Sequence, residues 1–283
     1  MYLPDVIADA RILITVKTYP LPSSDFGEVV CTAGLLNGEK WIRIYPILLN
    51  KYIDDNKFPK YGWAKVNLVK HPSDDRVESY MPRNGVDEPW NFLEKIGTAN
   101  FWAARKDFVK KEIFTSMEEL ISLMRNENRS LGTLKPVEII DFLAEDSERE
   151  WKPKWAAKLK QMKLFDPDTI EPDKKKQPIK KIPYTFKYRL LTQGDTNPRE
   201  LSILDWEIGM LYWNCLRRSG GDEKEAIRLV RKKYFDEFVA QKDILLFLGT
   251  NYQYHKRRVA NPFMIIGVFY PPKTAQLSLF HNP

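Results

Sequence analysis

From residue 11 to residue 81 the chain is cut into apolar pieces too short for helices: "ILITVKTYP", "EVVCTAGLL", "KWIRIYPIL", "WAKVNLVKH" and "RVESYMP". Turn formers separate them at Pro22–Ser24, Asn37–Gly38 and Ser73–Asp75. Asn–Gly supplies two residues that tolerate positive φ, the requirement of a tight hairpin, so "GLLNGEKWIRIYP" reads as two strands joined by that turn. Successive strands with no helix between them must bury a face on one another. That limits the outcome to a small antiparallel barrel or a strongly curved sheet.

Apolar residues at helical spacing begin near residue 88, in "PWNFLEKI" and "FWAARKDFVKKEIF", and "TSMEELISLMRNE" opens on a cap at Thr115 or Ser116. "LGTLKPVEIIDFLAE" predicts a turn and a short strand that offers Val137, Ile139 and Ile140 to the N-terminal sheet. Composition then changes. Residues 146–192 hold thirteen Lys or Arg against seven Asp or Glu, and four prolines fall within "DPDTIEPDKKKQPIKKIP". Such a stretch is an exposed connector or a basic arm rather than core. Beyond it, "YTFKYRLL" leads to a helix begun by Ser202 or Asp205, a second helix capped by Asp222, and two buried strands, "ILLFLGT" and "FMIIGVFYPP". The expected fold is α+β: a β-rich domain with appended helices (1–145), a basic connector (146–185), a helix–sheet domain (186–272) and a C-terminal tail (273–283).

With 283 residues, 43% of them hydrophobic, the chain can build one large core or two modest ones. Its two cysteines, Cys31 and Cys215, sit far apart in apolar surroundings, as free thiols of a reducing compartment do. The N-terminal stretch has no basic region ahead of a long apolar run, and no segment reaches the length of a membrane span. A cytoplasmic protein with no membrane contact is the expectation. The net charge of +7 favours polyanionic partners. Only His71, His255 and His281 are present, which argues against a histidine metal centre, and no glycine-rich phosphate loop occurs. No cofactor is expected, except Mg²⁺ if the protein is a nuclease. For that chemistry the candidate carboxylates are Asp74, Asp75, Glu78, Asp205 and Glu207, since phosphodiester hydrolysis needs two or three carboxylates converging on the ion. The plainer reading makes Asp74–Asp75 a turn and Asp205 a helix cap.

"NYQYHKRRVANP" sets Tyr252 and Tyr254 beside His255, Lys256, Arg257 and Arg258, in a loop between two core strands. Cations that grip phosphates beside a tyrosine that stacks on a base are the makings of a nucleic-acid surface. Arg43 and Tyr45 of "RIYP", the cluster Arg231, Lys232 and Lys233, and the connector residues Lys174, Lys175, Lys176, Lys180 and Lys181 are candidates to extend it. The competing reading is a hairpin loop with solvated charges.

"QLSLF", Gln276 to Phe280, resembles the pentapeptide by which bacterial proteins dock on the DNA polymerase sliding clamp, and all five positions match. The resemblance implies that Gln276 enters a small polar-rimmed pocket, that Leu277, Leu279 and Phe280 fill a hydrophobic cleft, and that Ser278 is the tolerant position. It covers five residues and implies no fold. Independently, two leucines and an aromatic make an efficient anchor set for an extended peptide, and placement after Pro271 and Pro272 makes them reachable. The same alternation also suits an edge strand. A weaker relative, Gln161, Met162, Leu164 and Phe165 of "QMKLF", lies in the connector, where "KPKWAAKLKQMKLF" reads better as a surface helix. Together these signals predict a clamp-recruited DNA-binding or accessory protein of replication, repair or defence against foreign DNA. A Mg²⁺-dependent nuclease is one alternative. An RNA-binding or ligand-sensing protein with no clamp contact is the other.

Overall fold

The computed structural model describes residues 3–23, 27–48, 58–153 and 179–273. Five strands close into a barrel: β1 (Val6–Lys17), β3 (Gly27–Leu36), β4 (Lys40–Leu48), β5 (Gly62–Lys70) and β6 (Ser79–Pro82), with the short β2 (Leu21–Ser23) beside β3. Around the barrel the order is β1-β3-β4-β6-β5, and β1 closes it by pairing with β5. All these pairings are antiparallel except β4 with β6. This is a five-stranded Greek-key barrel of the OB type. The expected hairpin is present: Asn37 and Gly38 both have positive φ, and the Glu39 N–H donates to the Leu36 carbonyl at 3.0 Å.

Alternation fills both faces of the barrel wall. Ile12, Ile14, Val30, Ile42, Ile44, Ala64, Val66 and Leu68 point inward around Phe58 and Tyr80. Leu13, Ala33, Leu35, Trp41 and Trp63 point outward, yet they are buried too, because a second layer covers them.

"PWNFLEKI", expected as helix, contains strand β7 (Asn91–Lys95), paired with β5. Phe92 packs with the barrel-interior cluster and its neighbour Leu93 with the outer one, so adjacent residues serve opposite faces, as only a strand allows. Helix α1 (Ala99–Val109) opens on three left-handed residues, Asn100, Phe101 and Trp102. L-residues rarely adopt that conformation in succession. The reversed turn sets the Trp102 ring 5.5 Å from Phe269 and 5.2 Å from Tyr270.

After α2 (Met117–Glu127), capped by Ser116, come β8 (Leu131–Leu134) and β9 (Glu138–Asp146). Both belong to C-terminal sheets rather than to the barrel, against expectation. β9 pairs with β10 (Tyr184–Leu191), which also pairs with β11 (Arg199–Ser202). β8 pairs with β12 (Leu245–Thr250), itself paired with β13 (Phe263–Phe269). Ile139 therefore enters the C-terminal core, while Val137 is 68% exposed and Ile140 also faces outward. The expected boundary at 145 consequently falls at the end of a strand whose partner lies beyond it.

Two helices lie on these sheets, as their sequence spacing indicates. α3 (Trp206–Arg218) is capped by Asp205 and α4 (Glu223–Arg231) by Asp222; a π turn (Lys232–Glu237) and α5 (Phe238–Gln241) continue from α4. The short α6 (Tyr252–Lys256) sits between β12 and β13, where a plain loop was expected. Cys31 and Cys215 are free thiols. Among the described residues, no helix is long and apolar enough to cross a membrane.

Candidate nucleic-acid interface

In OB-type barrels, oligonucleotides commonly bind across the second and third strands and the loops at that end. In this protein those strands are β3 and β4, and their outer face is taken. Ala33, Leu35 and Trp41 pack with Leu131, Leu245, Phe247 and Ile266 of the β13-β12-β8 sheet, and the Trp41 ring meets Phe247 edge-on at 5.3 Å. Among the described residues, the rim where the loop between β5 and β6 (residues 71–78) meets α6 stays open.

The rim is built on buried charge. Arg43 projects outward from β4 and donates to the Thr250 carbonyl (3.1 Å), the Ser130 carbonyl (3.3 Å) and the Ser130 hydroxyl (3.2 Å). Arg76 donates to the same Thr250 carbonyl at 2.8 Å and grips Asp74 through its Nε, also at 2.8 Å. Asp74 receives the Arg76 backbone N–H as well, an Asx turn, and the Ser79 hydroxyl at 2.7 Å. Glu78 accepts the N–H groups of Ser130 (2.9 Å) and Leu131 (3.3 Å), locking the loop to the start of β8. Two guanidinium groups thus face two carboxylates, so the buried charges balance.

These neighbours set the titration of the group. Burial alone would raise the Asp74 carboxyl, but the hydrogen bonds and charge of Arg76, with Ser79, hold it at about 2. Burial, with the nearby Arg76 charge, lowers Arg43 to about 10. Burial and the positive charges of Arg76 and Arg43 lower His255, whose Nδ1 lies 3.2 Å from the Thr250 hydroxyl. The His255 side chain is buried, unlike those of its basic neighbours.

On this base α6 is displayed. Asn251 caps it, its side-chain oxygen accepting the Gln253 N–H at 2.8 Å. The Tyr252 hydroxyl donates to the Ser73 carbonyl at 2.9 Å while the Arg76 guanidinium lies 5.3 Å from its ring centre. Tyr252 is thus pinned to the rim. Tyr254, Lys256, Arg257 and Arg258 are exposed, and none of the three cations forms an ion pair among the described residues. The Tyr45 ring lies 6.5 Å from that of His71 at the same end of the barrel.

The structure therefore brings Arg43, Tyr45, Asp74, Asp75, Glu78 and the segment 252–258 together, and leaves the other candidates elsewhere. Asp205 and Glu207 meet Lys60, whose ammonium lies 3.3 Å from the first carboxylate and 2.9 Å from the second. Asp205 also accepts the N–H groups of Glu207 (3.2 Å) and Val268 (3.3 Å). Burial raises Asp205 to about 6 against the pull of Lys60. Burial alone would lower Lys60, but the two carboxylates raise it above the ordinary lysine range. The five carboxylates thus occupy two places: Asp74, Asp75 and Glu78 at the rim, where Arg76 engages Asp74, and Asp205 with Glu207 at Lys60. Among the described residues, no three His, Cys, Asp or Glu side chains gather as a metal-binding group.

Arg231 pairs with Asp141 at 2.7 Å and Lys233 with Glu237 at 2.6 Å, while Lys232 is exposed beside them on the π turn. Lys180 accepts the Tyr19 hydroxyl at its carbonyl and sets its ammonium 5.9 Å from the Trp213 ring centre; Lys181 pairs with Glu148 at 3.0 Å. These lysines and Arg231 are used within the fold. Lys174, Lys175 and Lys176, the 161–165 segment and Gln276–Phe280 lie outside the described residues. Lys60, Ser130 and Thr250 escaped sequence reading. Nothing local marks them, because the charged side chains they pair with across the fold, Asp205, Glu78 and Arg43, are 52 to 207 positions away.

A domain of unknown function, DUF8757, matches residues 113–283, and a second, DUF8758, matches residues 8–111. The chain belongs to the DUF8757 family. Their junction falls between α1 and α2, ahead of β8 and β9, where the pairing shifts from the barrel to the C-terminal sheets. No curated protein matches the chain.

Proposed function

We propose that the protein is a nucleic-acid-binding accessory factor recruited by the bacterial sliding clamp, acting in the cytoplasm in DNA replication, repair or defence against foreign DNA. The observation that carries this reading is the five-position match of Gln276–Phe280 to the clamp-docking pentapeptide. The rim supports it: an exposed tyrosine and three cations that form no ion pair among the described residues, displayed on a charge-balanced base, make a surface suited to phosphates and bases. A binding role is favoured over hydrolysis, because Asp74, Asp205 and Glu207 are held by Arg76 or Lys60 and Glu78 by backbone N–H groups.

Titration of purified sliding clamp against the wild type, Gln276→Ala and Phe280→Ala tests the recruitment. Each substitution removes an anchor, and at least a tenfold loss of affinity is expected, about 1.4 kcal/mol. Equal affinity of all three proteins would overturn it.

A further inference from the structure

We infer that the rim takes a single strand of nucleic acid, with a base stacked on Tyr254 and adjacent phosphates held by Lys256, Arg257 and Arg258. This rests on the nucleic-acid reading of that surface and specifies its ligand. The first ground is what α6 offers. Tyr254 is 47% exposed, whereas its neighbour Tyr252 is tied down through its hydroxyl and His255 is buried. Arg257, three residues after Tyr254, lies one helical turn along the same face. An exposed aromatic ring beside exposed cations matches a splayed strand, whose bases present open faces and whose phosphates follow at each step.

The second ground is the backbone. α6 ends with Arg258 at φ 49°, the Arg258 N–H bonded to the His255 carbonyl (3.0 Å) and the Val259 N–H to the Tyr254 carbonyl (3.2 Å). That is a Schellman ending, in which the left-handed position normally belongs to glycine. An arginine there is held in a conformation that L-residues disfavour, and its charge is fixed at the helix end, next to Arg257 and Lys256.

The third ground weighs against a duplex. A helix of five residues is too short to read along a major groove, and paired, stacked bases show a side chain only their edges. The other surface through which an OB-type barrel would cradle a strand, the outer face of β3 and β4, is filled by Leu131, Leu245, Phe247 and Ile266. Among the described residues, that leaves the rim as the face of the barrel end on which a strand can lie.

Fluorescence anisotropy with a labelled oligothymidylate of about 15 nucleotides, the matching oligouridylate and the duplex of the same length tests this on the full chain. The single strands are expected to bind at least tenfold more tightly than the duplex, and comparison of the two single-stranded probes separates DNA from RNA. Tyr254→Ala should weaken single-strand binding about tenfold, and Tyr254→Phe should restore it. The double substitution Arg257→Ala/Arg258→Ala should flatten the slope of log K against log salt by about 1.4. Equal affinity for strand and duplex, or unchanged binding by Tyr254→Ala, overturns the single-strand inference. The nucleic-acid reading survives that result if the arginine substitutions still weaken binding. No binding of any probe at low salt overturns both, and the clamp titration stands apart from either.

Discussion

Asp74 holds the rim through one carboxylate, which takes the Arg76 guanidinium, the Ser79 hydroxyl and a backbone N–H. Asp74→Asn keeps a side chain that can form the turn but leaves the buried Arg76 without its counter-charge. Breaking a buried pair from one side costs about 3 kcal/mol, measurable by urea denaturation at pH 7. The pH dependence follows from the sign of the shift. The folded-state carboxyl, at about 2, lies below its ordinary value of 3.8, so its stabilisation is present above that value and is lost as pH falls toward 2. The gap between wild type and Asp74→Asn should narrow over that interval; a constant gap would show that charge is not what Asp74 contributes. Asp205, which Lys60 faces, is shifted in the opposite direction from Asp74. Lys60→Ala strands Asp205, fully buried, and should cost about 3–5 kcal/mol at pH 8. Because burial raises Asp205 above its ordinary value, its contribution is present at low pH and lost as pH rises through about 6. The Lys60→Ala deficit should therefore shrink between pH 8 and pH 5.

Helix starts were legible at the element scale because a cap is a local event: a side-chain oxygen two or three residues before an orphan N–H. Asp205, Asp222 and Ser116 each accept such a bond. Asp222→Ala should cost about 1 kcal/mol by thermal or chemical denaturation, without affecting binding at the rim. Helix ends and short elements were less legible. Over eight residues "PWNFLEKI" fits a helix as well as a strand, and only pairing with β5 decides. The fold of "NYQYHKRR" into α6 depends on Thr250 and His255 being anchored from below. Arg258→Gly tests the strain at the end of that helix. It should stabilise the protein by about 0.5–1 kcal/mol, since glycine carries no penalty at positive φ, while weakening single-strand binding through the lost charge. A destabilised Arg258→Gly protein would refute the strain argument.

At the scale of the whole molecule, the barrel and the C-terminal layers share a core. Trp41 and Trp63 of the barrel lie in one cluster with Phe247 and Phe269 of the outer sheet, and Arg43 and Lys60 cross the same boundary to Thr250 and Asp205. The two family domains should therefore unfold together. Phe247→Ala, at a fully buried site, should cost about 3–5 kcal/mol and lower one cooperative transition. Two separate calorimetric transitions in the wild type would show that the layers are independent.

Alternation at period two, turn chemistry at Asn37–Gly38 and capping at Asp205 and Asp222 are written in neighbouring residues. The amino-acid order by itself accordingly determined the strand-rich N-terminal half, the two helices laid on a C-terminal sheet and the basic–aromatic segment 252–258. Which strands pair across a hundred positions is not a local property. Only the tertiary structure placed β8 and β9 in the C-terminal sheets and covered the outer face of β3 and β4. It also spent Arg43 and His255 as buried supports, leaving Tyr254, Lys256, Arg257 and Arg258 as the exposed group. The physical reason is burial: a cation from a strand becomes a prop or a ligand contact according to what packs over it, and what packs over Arg43 is Ser130 and Thr250.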